Sequence, residues 1–160
     1  MSVEIVEAYG KADEIRELFG EYMEMLLTNE SRFASYLKIQ NYADEFENPA
    51  HKYAMPDGRL YLVYCDGSLA GCIGLKKLDG KSCELKRLYV RNEYRSHGVG
   101  GALVRRIISD ARKIGYKHIM LDTFAFLESA IRLYHSFGFY EVESYNGSPM
   151  DNLIYLRLDL

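Results

Sequence analysis

Apolar residues recur three and four positions apart at Ile15, Leu18, Phe19, Tyr22 and Leu26, a spacing that predicts a helix entered at Ala12-Asp13 behind a short strand over Val3 to Tyr9. A second, less regular helical region is expected over Ser31 to Phe46, ending near Pro49, because proline interrupts a helix. The period then shortens. Leu60 to Cys65, Leu69 to Leu75 and Ser82 to Val90 are strand-like runs joined through Asp66-Gly67 and Asp79-Gly80. Asp-Gly between apolar runs marks a tight hairpin, so an antiparallel meander is predicted.

Helical spacing returns after a turn-rich stretch at Arg91 to Gly98. Leu103, Val104, Ile107, Ile108, Ala111 and Ile114 share one face, Arg105, Arg106, Asp110, Arg112 and Lys113 fill the other, and Gly115 closes the helix. His118 to Thr123 reads as a strand, and Ser129 to Phe137 as a helix with Ala130, Leu133, Tyr134 and Phe137 inward, stopped by Gly138. Phe139 to Tyr145 and Leu153 to Leu160 read as two further strands. There is no repeat, linker or low-complexity tract. The expectation is one α/β domain over residues 1–160, with a mixed, mostly antiparallel central sheet flanked by helices.

Two local irregularities carry the chemistry. In the run from Ser82 to Val90, Cys83 and Leu85 are odd while Leu88 and Val90 are even. A period of two changes parity only through an inserted residue, which predicts a β-bulge near Lys86-Arg87. A bulge frees backbone groups for an extended ligand, or merely bends the sheet. Next comes Arg95-Ser96-His97-Gly98-Val99-Gly100-Gly101-Ala102, a glycine-rich turn running into the basic amphipathic helix. Successive N–H groups and a helix start together make an anion cradle, although a plain capping loop has the same composition. No Gly-Lys-Ser/Thr of a nucleotide P-loop is present, and Leu103 stands at the third glycine of a dinucleotide fingerprint.

Composition narrows the classes. Hydrophobic residues make up 48% and charged residues 27%, the balance of a folded globular chain. The acidic pI of about 5.8 argues against nucleic acid as partner. No segment reaches bilayer-spanning length, and acidic residues stand where a signal peptide would be basic, so the expectation is a cytoplasmic protein that does not engage a membrane. Cys65, Cys72 and Cys83 form no Cys-x-x-Cys pair and read as buried free thiols. The four histidines have no metal-ligand spacing, and no metal is expected. Charge is uneven: the first 55 residues hold eleven acids and five bases, a balance of −6, leaving +3 for the rest.

The segment from Arg95 to Gly100 resembles motif A of the GCN5-related N-acetyltransferase (GNAT) family, Arg/Gln-x-x-Gly-x-Gly/Ala, matched at Arg95, Gly98 and Gly100. The likeness runs from about Tyr61 to the C-terminus and includes Leu85 to Val90, Ala130, Leu133-Tyr134 and Phe137-Gly138-Phe139. The first sixty residues agree only in their strand-helix-helix plan. The resemblance implies a GNAT-type acyl-CoA N-acyltransferase fold and acetyl-CoA or coenzyme A as co-substrate. It implies that Leu88, Tyr89 and Val90 offer main-chain bonds to the pantetheine arm, and that Arg95, Ser96, His97, Gly98, Val99, Gly100 and Gly101 hold the pyrophosphate. Tyr134 would lie near the thioester sulfur. The asparagine that the family often carries three residues before the helix alanine is here Leu127.

Transfer from a thioester to an amine needs a neutral amine and a proton for the departing thiolate. The expected groups are Glu84 as base and Tyr134 as acid. The acidic first 55 residues favour a cationic acceptor, with Tyr22, Met25, Tyr42 and Phe46 as candidate walls alongside the loop over Tyr145 to Asp151. Expected partners are a small-molecule or peptide amine and, as an open assembly state, a second copy in a homodimer. A non-catalytic module that senses acyl-CoA is the competing reading.

Overall fold

The computed structural model describes residues 1–39, 41–148 and 150–160, and of residues 36, 38 and 39 the backbone alone. Seven strands form one sheet in the order β1-β2-β3-β4-β5-β7-β6. β1 (Val3–Glu7), β2 (Arg59–Cys65), β3 (Ser68–Lys77) and β4 (Ser82–Val90) are an antiparallel meander in chain order. The β2–β3 hairpin turns at Asp66 (φ 48°) and Gly67 (φ 81°), the two left-handed residues that an Asp-Gly turn supplies. β5 (His118–Phe124) then lies parallel to β4, while β7 (Leu153–Asp159) and β6 (Tyr140–Val142) continue antiparallel.

Both faces of the sheet are covered, which is why β2 reads as an unbroken apolar run. Tyr61, Val63 and Cys65 pack with Cys83, Leu85, Ile119 and Leu121 beneath α5 (Val99–Ile114). Leu60 and Leu62 join Ile15, Leu18 and Phe19 of α1 (Ala12–Asn29) on the other face. α5 buries the predicted stripe from Leu103 to Ala111, with Ile114 half-buried; Asp110, expected on the polar face, is instead buried, where its carboxylate accepts from the Tyr61 hydroxyl. The helix ends at Gly115 (φ 110°), with Arg112 and Lys113 in the last turn, where cations favour the helix dipole. α6 (Glu128–Ser136) packs at the edge of the α5 layer, with Tyr134 as its buried residue.

Two expectations are corrected. The helical region over Ser31 to Phe46 is three pieces: α2 (Phe33–Ile39), α3 (Tyr42–Glu47) and α4 (Pro49–Lys52). Asn41 breaks it in a left-handed conformation (φ 59°), donating its amide to Asp44 Oδ2 at 2.7 Å, and Pro49 opens α4 at a first-turn position where its missing N–H costs nothing. Gln40 lies outside the described residues. The strand expected over Phe139 to Tyr145 is only Tyr140–Val142, since β6 pairs β7 for three residues and Phe139 instead packs under α6 against Tyr134.

Candidate active site

The parity change in β4 is a bulge. Cys72 faces Tyr89 and Gly74 faces Lys86, so two steps on β3 oppose three on β4, and Arg87 takes the left-handed conformation (φ 62°). A bulky residue adopts that conformation only where its surroundings hold it. The hold is visible: Arg87 Nε and Nη2 donate to Glu45 Oε2 and Oε1 of α3 at 2.7 and 2.9 Å. Lys52 Nζ and the Tyr53 hydroxyl donate to the same carboxylate at 2.6 and 3.0 Å. Burial raises the Glu45 pKa, but Arg87 and then Lys52 more than offset it and bring it down to about 2.

Beside the bulge the sheet forks. β4 and β5 pair at Ser82/His118, Cys83/Ile119 and Glu84/Met120, after which each strand runs on without the other. A cleft of about 580 Å³ lies over this fork. Leu88, Tyr89 and Val90 form one wall, Thr123 and Phe124 the other, and α5 and α6 close the far side with Gly100, Ala130, Leu133 and Tyr134. Tyr22 and Met25 of α1 roof it.

The glycine-rich turn stands at one end. Gly98 (φ 77°) is the N-cap of α5 and offers no side-chain cap. The first helical bond runs from Ala102 N–H to the Gly98 carbonyl at 3.0 Å. The N–H groups of Val99, Gly100 and Gly101 therefore have no partner inside the helix and are available to an anion. Space is close here: a Cβ on Gly100 would sit 3.3 Å from Leu133 Cδ2. Arg95 Nε donates to the Val90 carbonyl at 2.8 Å and its guanidinium lies 5.9 Å from the Tyr89 ring centre, which ties the turn to the bulged strand.

Of the residues expected to hold a coenzyme, Leu88, Tyr89, Val90, Arg95, Ser96, Gly98, Val99, Gly100 and Gly101 all line the cleft, while His97 is exposed outside its lining. Tyr134 lines it as a buried phenol. Burial raises the Tyr134 pKa, with the neighbouring Tyr22 and Asp122 adding to the effect, so the hydroxyl keeps its proton. Glu84 is buried on the face of β4 opposite α5 and does not line the cleft. The Tyr145 hydroxyl donates to its Oε2 at 2.6 Å, and Lys86 Nζ stands 3.9 Å from its Oε1. Leu127 borders the cleft as the N-cap of α6, without a side-chain cap bond. Of the four proposed acceptor walls, Tyr22 and Met25 line the cleft, whereas Tyr42 packs on Arg87 and Phe46 is exposed. Pro149, in the loop expected to flank the acceptor, lies outside the described residues.

Sequence reasoning missed Lys86 and Asp122. Both line the cleft at the fork, and the Asn146 amide donates to Asp122 Oδ2 at 2.7 Å. The period of two could have placed Lys86 beside Glu84, but a lysine in a strand ordinarily reads as a solvent-facing residue. Among the described residues no group of acids, histidines and cysteines could hold a metal ion, and no helix is long and apolar enough to cross a membrane.

The chain matches the acetyltransferase (GNAT) family over residues 13–139. It is 38% identical to an uncharacterised N-acetyltransferase of Schizosaccharomyces pombe, across 100% of this chain and 95% of that protein. An uncharacterised N-acetyltransferase of Dictyostelium discoideum is 32% identical over the whole of both. The solved structure of the PaiA N-acetyltransferase from Thermoplasma acidophilum, in complex with coenzyme A, shares the fold with a TM-score of 0.77 at 19% identity, covering 100% of each chain.

Proposed function

The chain belongs to the GNAT family of acetyltransferases, and on that premise we propose that it moves an acetyl group from acetyl-CoA to an amine by direct attack at the fork between β4 and β5. The observation that carries the reading is the junction of three features in one cleft: a bulged strand, a parallel neighbour that parts from it, and three unpartnered helix N–H groups at one end.

The α5 N-terminus suits the pyrophosphate, because partial positive charge and convergent N–H groups favour an anion. The main chain of Leu88, Tyr89 and Val90 suits the pantetheine arm, where the bulge interrupts the ladder. Bound in this way, the thioester carbonyl is brought to the fork. The amine lone pair attacks the carbonyl carbon, the carbon–sulfur bond breaks with its electrons going to sulfur, and Tyr134 supplies the hydrogen bond and then the proton for the thiolate. Glu84 acts from behind the cleft wall, through Lys86. The PaiA structure in complex with coenzyme A supports this choice of co-substrate.

For the acceptor we favour a cationic small amine or a peptide amine. The support is the acidic balance of the first 55 residues together with Asp122 at the fork. Part of that acidity is already neutralised, since Glu17 and Glu21 hold Arg91 and Glu45 holds Arg87.

Acetyl-CoA at a hundred times its Kd should stabilise the fold by about 2.7 kcal/mol, and thiol release against a panel of amines should follow. Neither thermal shift nor calorimetric heat at millimolar acetyl-CoA would overturn the coenzyme site. Binding without thiol release across the panel would leave an acyl-CoA sensor instead.

A further inference from the structure

We propose that the ε-amino group of Lys86 is the base that deprotonates the attacking amine, with the Glu84 carboxylate fixed behind it as a stationary charge. This rests on the acetyl transfer proposed above and names the base for it. Glu84 has the right chemistry for a base but the wrong position, since it is walled off from the cleft and one of its oxygens is engaged by Tyr145. Lys86 is two residues further along the same face of β4, where the strand has left β5, and it reaches the cleft. Its counterpart on β5 is Asp122, two residues past Met120. Lysine and aspartate thus flank the opening of the fork at matching positions. An incoming ammonium meets a carboxylate that attracts it and an amine that can relieve it of a proton.

The surroundings make the lysine a base and not a fixed cation. Its side chain is 9% exposed. Burial lowers its proton affinity most, Arg87 and Lys52 act in the same direction, and Glu84 and Asp122 oppose them, bringing the pKa down to about 7. The cleft lining also holds Glu128, Arg95 and the phenols of Tyr22, Tyr89, Tyr94 and Tyr134, and burial raises the pKa of Tyr22, Tyr89 and Tyr134, so these three keep their protons. A lysine lowered this far is available as a neutral amine near pH 7, where an ordinary lysine is not.

The step balances. Neutral Nζ takes one proton from the acceptor ammonium, and the freed lone pair forms the carbon–nitrogen bond. The carbon–sulfur bond breaks toward sulfur, and the thiolate takes the Tyr134 proton. The second proton, lost from nitrogen as the amide forms, returns the phenol through solvent. Lys86 gives its proton to water before the next cycle.

The test compares the parent with Lys86→Met, which fills the same space without a base, and Lys86→Arg, which keeps a cation that cannot take a proton. n-Propylamine and glycinamide serve as acceptors of different basicity. Both variants should fold and bind acetyl-CoA as the parent does, while kcat falls on the order of 10²-fold or more. The rise of the parent's kcat with pH near neutrality should be absent from both variants and should stay in place when one amine replaces the other. A ¹³Cε-lysine NMR titration, with the Lys86 signal assigned by its loss in Lys86→Met, should show a midpoint near pH 7. A variant kcat within threefold of the parent, a pH limb that moves with the acceptor, or a Lys86 midpoint near that of an ordinary lysine overturns the proposal. No thiol release by the parent itself overturns the transfer reading, and this inference with it.

Discussion

The Arg87 guanidinium and the Glu45 carboxylate meet through two bonds, 2.7 and 2.9 Å long, across 42 residues of sequence. The contact fastens the bulge of β4, which lines the cleft, to α3, whose Phe46 and Glu47 carbonyls accept from Arg16 of α1. The conformation of the strand proposed to hold the coenzyme is therefore set from the other layer of the molecule.

Removing one partner of a buried ion pair leaves the other uncompensated, which costs about 3–5 kcal/mol. Glu45→Gln should lose stability of that order in urea unfolding at pH 7. The pH dependence has a definite sign. Against the effect of burial, the Arg87 and Lys52 charges hold the pKa of the Glu45 carboxyl at about 2, below the ordinary 4.5, so its contribution is complete above about pH 4.5 and fades as pH falls toward 2. The parent should lose stability across that window more steeply than the glutamine variant. Parallel slopes, or a loss below about 1 kcal/mol at pH 7, would contradict the role assigned to the pair.

Gly98→Asp and Gly100→Asp should each abolish coenzyme binding while leaving a folded protein. At Gly98 a side chain would have to accept φ 77°. At Gly100 it would press on Leu133, and at either position a carboxylate would stand at the partly positive start of α5. Calorimetry with coenzyme A decides the matter, and undiminished affinity in either folded variant would move the phosphate site elsewhere.

Tyr134→Phe keeps the ring packed against Phe139, at a centre-to-centre distance of 5.6 Å, and deletes only the hydroxyl. The coenzyme Kd should barely change, while kcat falls on the order of 10²-fold or more, because the deleted interaction forms chiefly in the transition state. A purely structural tyrosine would instead show near-normal turnover and a stability change of about 1 kcal/mol.

Leu127→Asn should stabilise α6 by about 0.5–2 kcal/mol, since an asparagine at an N-cap satisfies an orphan N–H where leucine cannot. The same amide would border the cleft, so the coenzyme Kd should fall several-fold. A gain in melting temperature without a change in Kd would separate capping from contact.

The meander was legible because Asp66-Gly67 and Asp79-Gly80 punctuate it locally, and the bulge because a period of two cannot change parity between Leu85 and Leu88 without an inserted residue. The cradle at Gly98 to Gly101 is likewise contiguous in sequence. What stayed hidden depends on pairings between distant residues. Glu45 and Arg87 are 42 residues apart, Tyr145 and Glu84 are 61 apart, and neither pairing has a local signature. The break at Asn41 escaped notice because weak helical periodicity persists on both sides of it, and the burial of Lys86 because residue type alone places lysine in water.

The order of the strands also fixes an order of assembly. β1 to β4 neighbour one another in both sequence and space, so each can pair with its predecessor as soon as it leaves the ribosome. The parallel junction is different: β4 meets β5 only after the whole of α5 has been made and has crossed the sheet. Two walls of the cleft, β5 and α6, are thus among the last elements to be made, and a nascent chain halted before His118 should lack the acetyl-CoA affinity expected of the finished protein. Amide exchange in the finished protein should follow the same division, with β2 and β3 at the centre of the meander slow to exchange and the unpaired ends of the fork fast.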